Sequence, residues 1–189
     1  MLRVFILSII VSSCGYTVGS KGRAVPTGVK RLAVPVFKNS TTEVGYESYF
    51  TNAIIEEIIR SNFVKLSPQK NAEAVLEGKI LSIRYNSGAD LSGASSDDDS
   101  STNLPENAVL TGSYSVVVEV SLRLRRRSDN AILWRSRFSG SRNFQAAKIG
   151  LEGFNSANAT YDFSARHQTV RDLASQMMTR AYSRMTERF

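Results

Sequence analysis

Ser113-Tyr114-Ser115-Val116-Val117-Val118-Glu119-Val120-Ser121-Leu122-Arg123-Leu124-Arg125 is the stretch whose reading decides the fold. Tyr114, Val116, Val118, Val120, Leu122 and Leu124 fall on one side of an alternation with period two, which predicts a half-buried strand. Arg126-Arg127-Ser128-Asp129-Asn130 follows as a turn, and Ala131 to Asn143 alternates again, so the two form a hairpin. With Arg125 set opposite Ala131, Leu124 meets Ile132, Leu122 meets Trp134, Val120 meets Ser136 and Val118 meets Phe138. The inward faces then agree along the whole hairpin. The outward face carries Arg123, Arg125, Arg135 and Arg137, with Arg126 and Arg127 in the turn. Glu119 falls opposite Arg137 as an ordinary exposed pair, worth ~0 to 1 kcal/mol. That leaves Arg123, Arg125, Arg126 and Arg127 as candidate anion binders with only Asp129 nearby, since the planar guanidinium fork suits phosphate oxygens.

Working outward, Val29 to Phe37 reads as a strand, and Pro35, which has no N–H to give, puts it at an edge or beside a bulge. Ser40 and Glu43 have capping-box spacing ahead of a helix. From about Tyr46, apolar residues recur at helical spacing (Tyr46, Tyr49, Phe50, Ala53, Ile54, Ile58) and the pattern ends near Ser61-Asn62. Glu47, Glu56 and Glu57 make the opposite side acidic, which suits a core-facing helix and not one lying on a membrane. A short strand, Phe63 to Leu66, and a longer one, Glu73 to Tyr85, follow, with Gly78 read as a bulge.

The stretch 86–109 has few apolar residues and holds Ser95-Ser96-Asp97-Asp98-Asp99-Ser100-Ser101, so it is expected as a disordered loop. Its three aspartates lack the spaced ligands and turn glycine of a calcium loop, and read as a solvated charge run. Gln145 to Asn158 reads as a connection. Val170, Leu173, Ala174, Met177, Ala181 and Met185 define a second amphipathic helix that starts between Thr160 and Thr169 and runs close to Phe189. The fold class is α+β: a mixed four- to five-stranded sheet with two amphipathic helices packed on one face.

The first residues have the layout of a bacterial export signal. Arg3 leads into the apolar run Val4 to Val11, and Ser12-Ser13 stand before the single cysteine, Cys14. Some eight apolar residues are too few to cross ~30 Å of hydrocarbon at ~1.5 Å per residue. Residues 1–13 are therefore expected as a lipoprotein signal peptide, 14–28 as a lipid-anchored lead-in and 29–189 as one domain. Cys14 becomes the acylated first residue, with more than one chain holding it in the membrane. The competing reading is a buried cysteine behind a hydrophobic first strand. Spending the one cysteine on lipid leaves none for a disulfide brace. Gly15, where an Asp would retain a lipoprotein in the inner membrane, leaves the route to the outer membrane open. The chain is basic, +7 in all and one less without Arg3. Export excludes nucleic acid as the natural partner of that charge and leaves anionic lipid headgroups or lipopolysaccharide.

Catalysis finds little footing. The one histidine, His167, stands near the start of the last helix, and no nucleophilic cysteine survives lipidation. There is no glycine-rich phosphate loop, no metal-ligand spacing and no serine-centred motif, although a carboxylate pair could still be assembled in space. No catalytic residue, metal or cofactor is expected beyond the covalent lipid at Cys14.

Several segments resemble one family in their order and spacing. They are Cys14-Gly15-Tyr16; Gly28-Val29; Leu32-Ala33-Val34-Pro35-Val36-Phe37 running on to Asn39, Thr41, Glu43, Gly45, Glu47, Thr51, Asn52 and Ala53; Ala72 to Gly78; and Leu133 to Gly140. Over nearly the whole mature chain these are similar to the LptE family of lipopolysaccharide-assembly lipoproteins. The resemblance implies a sheet with two helices, seated as a plug in a large outer-membrane β-barrel, LptD, with which it moves lipopolysaccharide into the outer leaflet. It also supplies lipopolysaccharide, whose lipid A carries phosphates, as the ligand of Arg123, Arg125, Arg126 and Arg127. The acidic run around Asp97 departs from compact members of the family. The alternative function is an outer-membrane lipoprotein that binds a soluble periplasmic partner and has no transport role.

Overall fold

The computed structural model describes residues 25–87, 90–92, 109–111, 113–145, 148–151, 154–157 and 159–187. In chain order the first half holds β1 (Arg31–Ala33), β2 (Lys38–Asn39), α1 (Tyr46–Ser61), β3 (Lys65–Leu66) and β4 (Ala74–Ser87). The second holds β5 (Asp90–Ser92), β6 (Val109–Thr111), β7 (Ser113–Arg126), β8 (Ile132–Gln145), β9 (Lys148–Leu151), β10 (Phe154–Ala157) and α2 (Ala159–Thr186). The main sheet runs β3-β1-β4-β7-β8, with β2 also pairing with β4. β1, β2 and β3 pair in parallel fashion, while β4, β7 and β8 are antiparallel, so the sheet is mixed as expected.

Both helices cover one face of this sheet. Tyr46, Phe50, Ile54 and Ile58 of α1 and Val170, Leu173, Ala174, Met177, Met178, Ala181 and Met185 of α2 are buried there. They meet Ala74, Leu76 and Ile80 of β4 and Val116, Val118, Val120, Leu122 and Leu124 of β7. Each Val, Leu, Ile, Phe or Met among them taken out of water contributes ~1.5 to 3 kcal/mol. The helices run side by side in the same direction, because Tyr49 meets His167 early in both and Ser61 meets Tyr182 late in both.

Several expectations are corrected in detail. In the hairpin Leu124 pairs with Trp134, Leu122 with Ser136, Val120 with Phe138 and Val118 with Gly140, two residues away from the register expected. An irregularity between Leu124 and Arg125, which pairs with Ile132, leaves Leu133 as the extra residue. A slip of two preserves side-chain parity, so Trp134, Ser136 and Phe138 stay on the inward face, whereas Ile132, expected inward opposite Leu124, stands opposite Arg125 and is 51% exposed. The bulge expected at Gly78 sits instead between Ile80 and Ser82, at Leu81. Gly78 is small for another reason: a Cβ there would collide with the ring of Phe37.

Of the strand expected over Val29–Phe37 only Arg31–Ala33 forms, as β1, and pairing resumes beyond Pro35 and Phe37 in β2. From Ala33, opposite Val75, to Lys38, opposite Lys79, five steps face four, so proline sits in a bulge where no ladder donor is needed. No capping box forms between Ser40 and Glu43. The turn is organised by Asn39, whose Nδ2 donates to the Glu43 carbonyl at 2.6 Å and whose Oδ1 accepts the Thr41 N–H at 2.9 Å. Gly45, with φ of +93°, precedes the helix, and its N–H donates to the Glu47 carboxylate at 3.1 Å. Both ends of the 86–109 stretch expected as loop are strand, β4 reaching Ser87 and β5 pairing with β6, whereas its Ser/Asp-rich centre lies outside the described residues. The connection expected over Gln145–Asn158 likewise contains the β9–β10 hairpin.

Candidate anion-binding site at the arginine end

Alternation along β7 decides where each arginine goes. Because Leu122 and Leu124 point into the core, Arg123 and Arg125 stand on the open face, away from the helices. Arg126 and Arg127 lie past them at the end of the sheet. The turn is closed by the Arg126 N–H donating to the Ala131 carbonyl at 2.8 Å, with Asn130 in the left-handed region that asparagine tolerates. Asp129 stiffens it by accepting the Ala131 N–H at 3.1 Å and pairing with Arg126 at 2.9 Å. The Ala131 N–H first, then the Arg126 charge, hold the Asp129 carboxyl below its ordinary pKa.

The four arginines are thus near one another but do not share one surface. Nor is Asp129 their only counter-charge, which corrects the expectation. Glu77 of β4, directly opposite Arg123, bridges two of them. Arg123 donates through Nε at 2.9 Å and Arg125 through Nη2 at 2.8 Å, one to each carboxylate oxygen. Burial pushes Glu77 up, but the hydrogen bonds from Arg125 and Arg123 outweigh it and leave its carboxyl below the usual value. Arg125 also donates to the Asn130 side chain, and Arg127 to the Lys70 carbonyl. Glu77 escaped the sequence reading because the pairing of β4 with β7 joins residues 46 apart in the chain. The available signal was its outward place in an alternating strand.

On the same face Arg135 lies directly opposite Arg123, a like-charge neighbour that a single shared carboxylate does not balance. Arg137 faces Ser121 and not Glu119, although it reaches Glu119 diagonally at 3.8 Å. Arg126 and Arg127 line an open cleft of about 510 Å³ together with Gly28, Val29, Ala72, Glu73 and Ser128. Its lining sets two arginines and the acidic Glu73 beside the small or apolar Gly28, Val29, Ala72 and Ser128, so a phosphate would be received by the arginines with an apolar neighbour and against one carboxylate. Cys14 and Asp97 to Asp99 lie outside the described residues.

His167 lies in the first third of α2, near the helix start as expected. It sits half-buried in α2 with Nδ1 3.0 Å from the Tyr49 hydroxyl and its ring 4.1 Å from Phe163 and 4.9 Å from Tyr46. Arg166 lies over Tyr85 and Arg171 over Tyr49, so the cluster fastens the starts of both helices to the sheet. Burial first, then its bond to Tyr46, pushes the Tyr85 hydroxyl well above the ordinary tyrosine range. Among the described residues no group of His, Cys, Asp and Glu could hold a metal ion, and no helix is long and apolar enough to cross a membrane.

A family model described as LptE, lipopolysaccharide-assembly, matches residues 29–185. The chain belongs to the LptE family. The family is one of non-enzymatic lipoproteins, and this chain is an LptE-like lipoprotein of the cell envelope. Among solved structures, a Xanthomonas campestris protein of the DUF330 family superposes with a TM-score of 0.51, covering 89% of this chain and 88% of that one at 9% identity. At that identity the likeness speaks for the fold alone. The PelC dodecamer from Paraburkholderia phytofirmans gives a TM-score of 0.47 at 18% identity, covering 89% of this chain and 94% of that one. The rare lipoprotein B from Shewanella oneidensis gives 0.46 at 12%, covering 82% and 90%. No curated protein matches the chain.

Proposed function

We propose that this LptE-family chain is an outer-membrane lipoprotein, acylated at Cys14, that acts as plug and assembly partner of an LptD-like β-barrel in moving lipopolysaccharide to the outer leaflet. The observation that carries this reading is the family match over residues 29–185, which spans both helices and the main sheet. Its work is binding and not catalysis. Lipopolysaccharide is held through its phosphates at the arginine end, by Arg123, Arg125, Arg126 and Arg127. Arg123 and Arg125 share the single carboxylate of Glu77 and Arg135 stands directly opposite Arg123, and this excess of cations supports the assignment.

Isolation of the Cys14-anchored chain from envelopes tests the partnership. A large, heat-modifiable barrel is expected to come with it, and palmitate label is expected in the parent and absent from Cys14→Ala. Recovery with a soluble periplasmic protein and no barrel would replace the reading, and equal label in both forms would remove the anchor from it.

A further inference from the structure

The end of the sheet where the chain enters the fold is built as a basic surface. β1 and β3 are parallel, so Arg31 stands beside Lys65, and the Lys65 N–H donates to the Lys30 carbonyl at 2.9 Å. The Glu73 N–H donates to the Arg31 carbonyl and the Arg127 N–H to the Glu73 carbonyl, both at 2.9 Å. The Arg127 guanidinium reaches across to the Lys70 carbonyl. Lys30, Arg31, Lys65, Lys70, Arg126 and Arg127 are thereby knitted into one end by backbone hydrogen bonds, with Glu73 and Asp129 as the acidic groups among them. Glu73 is taken up by Arg31 at 3.2 Å and by the Lys30 N–H at 2.9 Å, and Asp129 by Arg126. The ammonium groups of Lys30, Lys65 and Lys70 are exposed and make no ion pair among the described residues. Phe63 and Leu66, 39% and 38% exposed, stand beside them.

We infer that this end rests on the anionic phospholipid headgroups of the membrane that holds Cys14, and so sets how the domain stands on its anchor. The inference rests on the proposed acylation of Cys14. Geometry favours this end over the other. From Cys14 to Val25 there are eleven residues, which span at most roughly 36 to 40 Å. β7, fourteen residues long, extends about 45 Å away from the Arg126 end. A tether entering at Gly28, beside Arg126 and Arg127, therefore brings this end of the sheet within reach of the bilayer ahead of the far end. Charge complementarity does the rest, because exposed lysines beside an anionic surface are attracted over a Debye length of ~8 Å. Phe63 and Leu66 are suited to shallow contact at the headgroup boundary.

The acylated full chain carries its one native cysteine under lipid, so a fluorophore can be placed on a single new cysteine, Gln69→Cys at this end or Asn143→Cys well along β8. Each is bound to phosphatidylcholine vesicles containing phosphatidylglycerol and headgroup-nitroxide lipid. Quenching at position 69 is expected to exceed that at 143 severalfold, with the contrast shrinking in high salt and in Lys30→Gln/Lys65→Gln/Lys70→Gln. Equal quenching at the two positions, or a contrast unchanged in the triple variant, would overturn the inference. So would a contrast that arises only when lipopolysaccharide is added to the vesicles. Flotation of the unsubstituted chain on pure phosphatidylcholine reads acylation separately, so loss of the anchor and loss of the basic contact give different results.

Discussion

The two faces of β7 differ as sharply as any two regions of the molecule. On the helix side Val116, Val118, Val120, Leu122 and Leu124 are buried among carbon atoms; on the other side Glu119, Ser121, Arg123 and Arg125 meet water and one another. The covered face earns its stability from burial, where every methylene counts. The open face carries pairs worth ~0 to 1 kcal/mol each, so its residues are free to be chosen for what they bind. One strand thus separates folding from function by residue parity alone.

The largest break in this comparison should come from the covered face. Phe50→Ala removes a ring with no exposure and is expected to cost ~3 to 5 kcal/mol, a large part of a domain's ~5 to 15. Trp134→Ala, at a half-buried site on the sheet's edge strand, should cost clearly less. Thermal melts of both rank them, and a Phe50→Ala protein as stable as the parent would mean that α1 does not seal the core.

Gly140→Ala adds one methyl where a Cβ would stand 2.7 Å from Met177 Sδ and 3.0 Å from Leu173 Cδ1. Pushing α2 off the sheet should cost ~1 to 3 kcal/mol, read as a lower urea midpoint. An unchanged midpoint would show that Met177 yields freely.

Glu77→Gln moves to the open face and should cost on the order of 1 kcal/mol, because it leaves Arg123 and Arg125 without their shared counter-charge, with Arg135 opposite Arg123. The pH dependence has a definite sign. Glu77 has a lowered pKa when folded, so its stabilisation is complete above the unfolded carboxylate pKa and is lost as pH falls through the folded one. Stability measured from neutral into acid should therefore fall less steeply in Glu77→Gln, and parallel curves would deny the bridge. Smallest of all, Arg137→Gln breaks only a 3.8 Å diagonal contact between exposed groups and should leave the melting temperature nearly unmoved.

How much of this was legible in the sequence depends on the range of the interaction. The alternation of β7 and the helical spacing of Tyr46, Phe50, Ile54 and Ile58 and of Val170, Leu173, Ala174 and Met177 are local, and they told the two faces of β7 and both helices correctly. Hairpin register was not legible, because a slip of two residues keeps Trp134, Ser136 and Phe138 on their side, and only Ile132, beyond the extra residue Leu133, changes face. Gly78 read as a bulge, since nothing local says that Phe37, 41 residues earlier, lies on it. The same distance in sequence hid Glu77 from the arginines it serves. Pro35 did announce its bulge, because a missing donor is a local fact.

Lipopolysaccharide binding by the variant with Arg123, Arg125, Arg126 and Arg127 all changed to Gln tests the central claim most directly. Affinity should fall and its salt dependence flatten while recovery of the barrel stays close to that of the parent and the melting temperature drops only as far as loss of the Glu77 bridge and the turn contacts requires. Undiminished, salt-sensitive binding by this variant would contradict the account and move the site away from the arginine end.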